Sequence, residues 1–494
     1  MVSKQFFKSS IIYSLVGALP YTTGVILIPF FTYYLTPEQF GVNALYLTFM
    51  YFVQLLSTFG LDTYIGINYY DHKNDKQRLK EFIGTILMSL IVIGTLVFFL
   101  LLIGGNAIFH QVFRNTNAMS FFPFGLITVC TALFNSVFKS YCSLLINQQR
   151  PKRFFWLNLS NFILTLGASL AILYLFPFTL YGPVVGRLAP ALLVGMMSVF
   201  LIISEFGLSF KKEFLKGVWS FCAPMVVYGI MVWIVSYIDR YIIVHFMADP
   251  TFVGIFDFAV KLSMGIDLVQ VGLTNTIHPK VYNIWKDGNL KESTVEVNRY
   301  YNGLTAITLL IIPLVIIAVP LLVPLVIKKE IYYQAFMFLP ILCLGFATRP
   351  WYYLFMAPLF FFKNTKALPR VFFFSATFQI IICSLLVWKF GLIGAMWSNF
   401  LVKPIQAFFL WLESRKIFHF KLNSWKIFYL PLIFIAVGIG CQFFITEKNI
   451  LWFATGQLIL SVLLVFFTYR HELESLFHPF LNRIFPISSR KSNP

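Results

Sequence analysis

The chain has 494 residues, of which 59% are hydrophobic and 12% charged, with a mean hydropathy of +0.79 and a formal net charge of +19. Soluble domains carry about a quarter charged residues, so this composition excludes an ordinary soluble enzyme and points to an all-α polytopic membrane protein. The excess of basic residues would suit a nucleic-acid partner only if it were clustered, and it is not.

Taken in chain order, apolar runs of roughly 20 residues, enough for ~30 Å of hydrocarbon, predict fourteen spans at about 10–34, 41–69, 82–109, 120–146, 154–176, 181–204, 217–246, 251–278, 300–327, 332–361, 371–388, 391–412, 427–446 and 449–469. The first apolar stretch is span-length and lacks a small-residue cleavage site, so it reads as an uncleaved span. Numbering the connections alternately from Lys4 and Lys8 puts 27 Lys and Arg on one side, the last of them Arg490 and Lys491. Only Arg114, Lys328, Lys329, Lys389 and Lys448 fall on the other. By the positive-inside rule both termini are cytoplasmic, and an odd number of spans would destroy the asymmetry.

The connections are short, which leaves no room for a soluble catalytic domain. No phosphate-cradling glycine loop is present, so nucleotide-driven pumping is not expected. Cys130, Cys142, Cys222, Cys343, Cys383 and Cys441 lie in apolar runs without metal-ligand spacing, and read as small buried residues. The seven His, at 72, 110, 245, 278, 419, 471 and 478, lack paired spacing. Neither a metal nor a cofactor is expected.

A faint repeat runs along the chain. TPEQFG leads into the second span and DPTFVG into the eighth, which pairs Gly41 with Gly254 at an offset of 213. The pairs Gly60 and Gly272, and Gly182 and Gly394, follow at an offset of 212. Six spans per repeat is an even number, so the two copies have the same orientation. The expected organisation is a lobe at 1–210 with helices 1–6, a lobe at 211–420 with helices 7–12, and helices 13–14 with a cytoplasmic tail at 421–494. Parallel repeats of this kind place a substrate path between the halves.

The segments LIPFFTYYLTPEQFGVNALYL and YIDRYIIVHFMADPTFVGIFDFAVKL resemble those of Wzx-type polysaccharide-export flippases. These belong to the multidrug/oligosaccharidyl-lipid/polysaccharide (MOP) exporter superfamily. The resemblance extends over nearly the whole chain in span pattern and implies a MATE-like fold in a bacterial inner membrane. It further implies a lipid-linked oligosaccharide as substrate, namely an undecaprenyl-diphosphate O-antigen or similar unit. A polysaccharide polymerase and chain-length proteins are then candidate partners.

Ten charged residues fall inside the spans: Lys139, Arg187, Arg240, Lys261, Arg349 and Lys403 against Asp62, Asp239, Asp257 and Asp267. Arg240 and Asp257 lie six or seven residues from the turn between spans seven and eight, so roughly 9–10 Å deep at 1.5 Å per residue. With Asp239 and Lys261 they form either a structural ion cluster that closes the hairpin or a cavity lining that rearranges in transport. An offset of 212 brings Lys139 near Arg349 and Arg187 near Lys403, so both repeats carry cations in equivalent helices. A diphosphate needs such a lining and a neutral drug does not; snorkelling to an interface is the competing reading, above all for Lys139 and Lys403. Polar stripes at Asn43, Gln54, Thr58 and Asp62, at Asn135, Lys139 and Ser143, and at Asn158, Asn161 and Thr165 are either sugar-facing or helix–helix contacts.

The reading is a flippase without a chemical step, its cations meeting the diphosphate. Asp62, Asp257 and Asp267 are candidates for coupling to an H+ or Na+ gradient. A multidrug antiporter of the same superfamily is the alternative, although residues 11–35 hold no carboxylate. A membrane polysaccharide polymerase or ligase would need a larger outer loop. Prolines at 20, 29, 313, 320, 324 and 350 are candidate kinks.

Overall fold

The computed structural model describes residues 16–17, 19–116, 119–286, 290–364, 366–419, 421–444 and 449–484. Lys4, Lys8, Lys448, Arg490 and Lys491 of the topology count lie outside the described residues, as do 10–15 and 18 of the first predicted span and 445–446 of the thirteenth. The described residues form helices joined by turns, with no strand among them. Among them, eleven segments are long and apolar enough to cross a membrane. One of them, Ala367–Ser414, contains both the eleventh and twelfth predicted spans. Gly391, at φ 58° and ψ −134°, turns the chain there. Ser398 then meets Gln379, and Arg370 meets Glu413, which lays the two arms antiparallel. The eighth predicted span lies in the helix Pro250–Lys286, whose interior carries Asp257, Lys261 and Asp267.

The chain divides into two compact units, Met1–Asp257 with Ile327–Lys329, and Phe258–Val326 with Glu330–Pro494. The first extends past residue 210 because span seven packs on span two. Trp233 Nε1 donates to the Thr48 carbonyl at 2.9 Å and the Tyr241 hydroxyl to the Leu45 carbonyl at 3.2 Å. Span two opens with a capping box. The Thr36 side chain accepts from the Gln39 N–H while the Gln39 side chain accepts from the Thr36 N–H, and Pro37 occupies the first turn where no N–H is needed. The span then breaks into Pro37–Thr58 and Leu61–His72 at Phe59 and Gly60, both with positive φ. Phe82, Ile86, Leu90, Tyr141, Leu144 and Leu145 belong to the core that spans two to four build with their neighbours.

In the second unit, span ten is a chain of short pieces: a 3₁₀ turn Glu330–Phe338, a helix Leu339–Leu344, a 3₁₀ turn Gly345–Thr348 and a helix Arg349–Phe361. By contrast Leu290–Val326 runs as one α-helix through Pro313, Pro320 and Pro324, so these prolines do not break it. Both units expose apolar side chains outward, among them Ile103 at 84% and Trp452 at 80%, which water would penalise and lipid does not.

Of the repeat's glycine pairs, Gly60 and Gly272 differ, the first at a positive φ and the second with nothing within 4 Å of an added carbon, whereas Gly41 and Gly254 make one contact. A Cβ on Gly41 would stand 1.9 Å from the Pro250 carbonyl oxygen, and one on Gly254 would stand 2.3 Å from the Pro37 carbonyl oxygen. Pro250 is the repeat counterpart of Pro37 and Gly254 that of Gly41, so the two contacts are the same contact made twice. Gly182 packs on the Leu173 side chain and Gly394 on the Leu386 backbone, so each also sits where a Cβ would clash. Small residues let helix backbones approach this closely.

Gly41→Val is expected to destabilise the protein by about 1–3 kcal/mol, the usual cost of overpacking. Gly104→Ala, where nothing lies within 4 Å of the added carbon, should leave it unchanged. Thermal unfolding of both purified variants in detergent checks the pair.

Candidate functional site

A charge at mid-bilayer costs at least ~2.5–3.5 kcal/mol on insertion scales, so what answers each in-span charge decides what it can still do. The ten fall into three kinds.

The first is a buried cluster in the first unit. The helices Val218–Met247 and Pro250–Lys286 are joined by Ala248 and Asp249 alone. Arg240 donates from one guanidinium nitrogen to Asp239 Oδ1 at 2.6 Å, and from two others to Asp257 Oδ1 at 3.0 and 3.1 Å. It also donates to the Ser236 carbonyl and lies over the rings of Tyr237 and Phe256. Arg240 and Asp257 are each 4% exposed and Asp239 is fully buried. Arg240 and Asp257 therefore meet at one depth, as their distances from the turn require. Lys261 is half-buried one turn beyond Asp257 on the same helix.

The second kind is an ion pair between spans two and four. Lys139 Nζ lies 3.0 Å from Asp62 Oδ2, with the lysine side chain 54% exposed. Around it the polar stripes of the two spans face one another. Ser143 donates to the Asp62 carbonyl at 2.8 Å, and Gln54 to the Asn135 carbonyl at 3.4 Å. These stripes join helices. In span five Asn158 donates both to the Phe154 carbonyl of its own helix and to Cys142 Sγ of span four, while Thr165 turns back to the Asn161 carbonyl.

The third kind is the cation whose partners are amides or incomplete. Arg187, half-buried on the helix Tyr181–Phe206, donates to Asn43 Oδ1 at 3.0 Å; among the described residues no carboxylate forms an ion pair with it. In the second unit Lys403 donates to the carbonyl and side-chain oxygens of Asn399 and sits 4.8 Å from the centre of the Phe346 ring. Asn399 is the counterpart of Arg187 at the repeat offset of 212, so the position that carries the cation in one repeat carries the cation's asparagine in the other. Arg349 heads the helix Arg349–Phe361 directly after the 3₁₀ turn Gly345–Thr348. It makes one 3.5 Å contact with Asp267, packs against the rings of Tyr352 and Tyr353, and has a buried Nε without a hydrogen-bond acceptor. The turn before it is braced by Gln270, which donates to the Phe346 carbonyl and to Thr308.

Asn399, Tyr352 and Tyr353 escaped the sequence reading. Asn399 was findable, since it lies one helical turn before Lys403. The tyrosines follow Arg349 in a segment whose 3₁₀ start hides the helical phase.

The chain matches the model of the family described as polysaccharide biosynthesis protein over residues 6–279. No curated protein matches it. Its fold is similar to that of the lipid II flippase MurJ in an inward closed conformation, with 15% identity and a TM-score of 0.72, covering 95% of this chain and 100% of that one. It is also similar to an inward-facing multidrug resistance MATE transporter of the MOP superfamily, with 14% identity, a TM-score of 0.65 and coverage of 82% and 93%. A MOP superfamily transporter from Pyrococcus furiosus is similar at 13% identity and a TM-score of 0.57, with coverage of 83% and 95%.

Asp257→Ala would strip Arg240 of two charge-assisted hydrogen bonds while leaving Asp239 as its counter-charge, and should cost about 1.5–3 kcal/mol of stability. Lys139→Met, at a pair whose lysine is mostly exposed, should cost about 1 kcal/mol or less. Thermal unfolding of the two variants side by side tests that ordering.

Proposed function

Because the chain belongs to the polysaccharide biosynthesis protein family, we propose that it is a flippase for undecaprenyl-diphosphate-linked oligosaccharide. It carries an O-antigen or similar repeat unit from the inner to the outer leaflet of a bacterial inner membrane by alternating access. The observation that carries this reading is Arg187, a membrane-embedded guanidinium held by the neutral amide of Asn43. Such a group has most of its donors left for an anion, and a diphosphate offers matching oxygens for bidentate, charge-assisted hydrogen bonds. Arg349 and Lys403 supply the same chemistry from the second repeat. Lys139 and Arg240 already face carboxylates and contribute less, and Lys261 completes the cationic set. The lipid tail stays in the bilayer while the glycan's hydroxyls meet polar side chains. A lipid II flippase of the same fold lends support to a lipid-linked cargo.

The working parts are the lobes 1–210 and 211–420, with 421–494 accessory and both termini cytoplasmic. Transport makes and breaks no covalent bond. Asp62, Asp257 and Asp267 are the groups through which an H+ or Na+ gradient would couple, with Asp239 held in the Arg240 cluster. A polymerase and chain-length proteins would take the product onward. Multidrug MATE transporters share the fold as well, which makes drug efflux the rival reading.

Proteoliposomes carrying the lipid-linked oligosaccharide in one leaflet decide between them. Arg187→Glu and Arg349→Glu should each slow its appearance in the other leaflet at least about tenfold, the loss expected for a hydrogen bond to a charged group, with folding and insertion intact. Efflux of organic cations without lipid movement would overturn the reading.

A further inference from the structure

Beside Arg349 the second unit carries a polar and aromatic stripe that the diphosphate reading leaves unused. Asp267 and His278 lie three turns apart on the helix Pro250–Lys286, and both are half-buried. Tyr352 and Tyr353 follow Arg349 on the helix Arg349–Phe361, with ring centres 4.8 and 5.9 Å from its guanidinium carbon. The Tyr353 ring lies 6.3 Å from the His278 imidazole, and the Tyr282 ring stacks on that imidazole at 5.7 Å and 22°. Tyr353 thus touches both ends of the stripe, and a single ring separates guanidinium from imidazole.

Two nitrogens on this stripe are buried without a protein partner: Arg349 Nε and His278 Nε2. A neutral imidazole nitrogen either donates or accepts, and a hydroxyl can answer both. Buried polar atoms in native proteins nearly always find partners, so two unpartnered nitrogens, one at each end of the stripe, call for a ligand with complementary groups. The Tyr353 ring between them is buried, and beside it, at 5.4 Å, the half-buried Tyr352 offers a ring face to pair with the C–H face of a pyranose. A diphosphate with one sugar attached presents its groups in this order: anionic oxygens, then a ring with an apolar face, then hydroxyl donors.

We propose that Arg349, Tyr352 and His278 form a subsite for the first sugar of the lipid-linked substrate. Arg349 takes a phosphate oxygen, Tyr352 stacks on the sugar ring, and His278 Nε2 exchanges a hydrogen bond with a sugar hydroxyl. The proposal rests on the diphosphate reading and adds selectivity to it. Unsugared carrier lipid would bind less well than the sugar-bearing form, which biases the protein against carrying empty lipid.

Two probes separate the proposal from its premise: undecaprenyl diphosphate, and undecaprenyl diphosphate bearing one N-acetylglucosamine, each titrated into the purified full chain in detergent. The wild type should bind the sugar-bearing probe roughly tenfold more tightly, on the order of one hydrogen bond with its stacking contact. Tyr352→Leu and His278→Ala should erase that preference and leave the bare diphosphate affinity unchanged. His278→Gln, which restores a hydrogen-bonding group, should recover part of it. Arg349→Gln should weaken both probes. If Tyr352→Leu and His278→Ala retain the wild-type preference at wild-type melting temperature, or if the wild type shows none, the subsite is wrong and the diphosphate reading stands. If neither probe binds the wild type, both fall.

Discussion

Hydrocarbon gives no solvation to a carboxylate or a guanidinium, so an in-span charge is governed by what lies within reach of it. Arg240 meets this condition with two carboxylates, a carbonyl and two aromatic faces, and is fully spent. Lys139 meets it halfway, by pairing with Asp62 while much of its side chain stays exposed. Arg187 has an amide, which orients a cation and does not neutralise it. The same residue types thus serve as a structural clasp, a helix contact and an unspent charge, and their partners alone distinguish them.

The two repeats use one plan with different chemistry at equivalent positions. Gln54 reaches span four at Asn135, and its repeat counterpart Asp267 reaches span ten at Arg349. A neutral contact in one half is therefore an ion pair in the other. The cytoplasmic ends, as the sequence assigns them, show the same economy. Glu205 binds Arg150 and Arg153 in the first unit, while Glu413 binds Arg370 and Lys416 in the second. A single acid holding two bases leaves each of these ends net basic, in keeping with the charge asymmetry of the connections.

Much of this was legible in the chain. Long apolar runs leave few choices of conformation in lipid, since only a helix satisfies its own backbone there, so the spans and their turns agree closely with the helices. The depth argument for Arg240 and Asp257 succeeded because so short a turn leaves no freedom in register. The prolines of span nine bring no break in the helix, and the break in span two comes at Phe59 and Gly60, without proline. Which amide would hold which cation was not readable, because Asn43 and Arg187 are 144 residues apart and meet only by tertiary packing. The stripes of spans two and four were visible, but periodicity marks a polar face without saying whether a helix or a ligand covers it.

The contact between Gly41 and Gly254 has a consequence for ancestry. Residue 41 touches residue 250 and residue 254 touches residue 37, which is the signature of an isologous interface in a symmetric homodimer. In an unfused ancestor of half the length, one glycine would have served both sides, and any change there would have struck the interface twice. In a single chain that coupling is absent. Each side of the crossing is free to vary alone, as position 187, an arginine, and its counterpart 399, an asparagine, do.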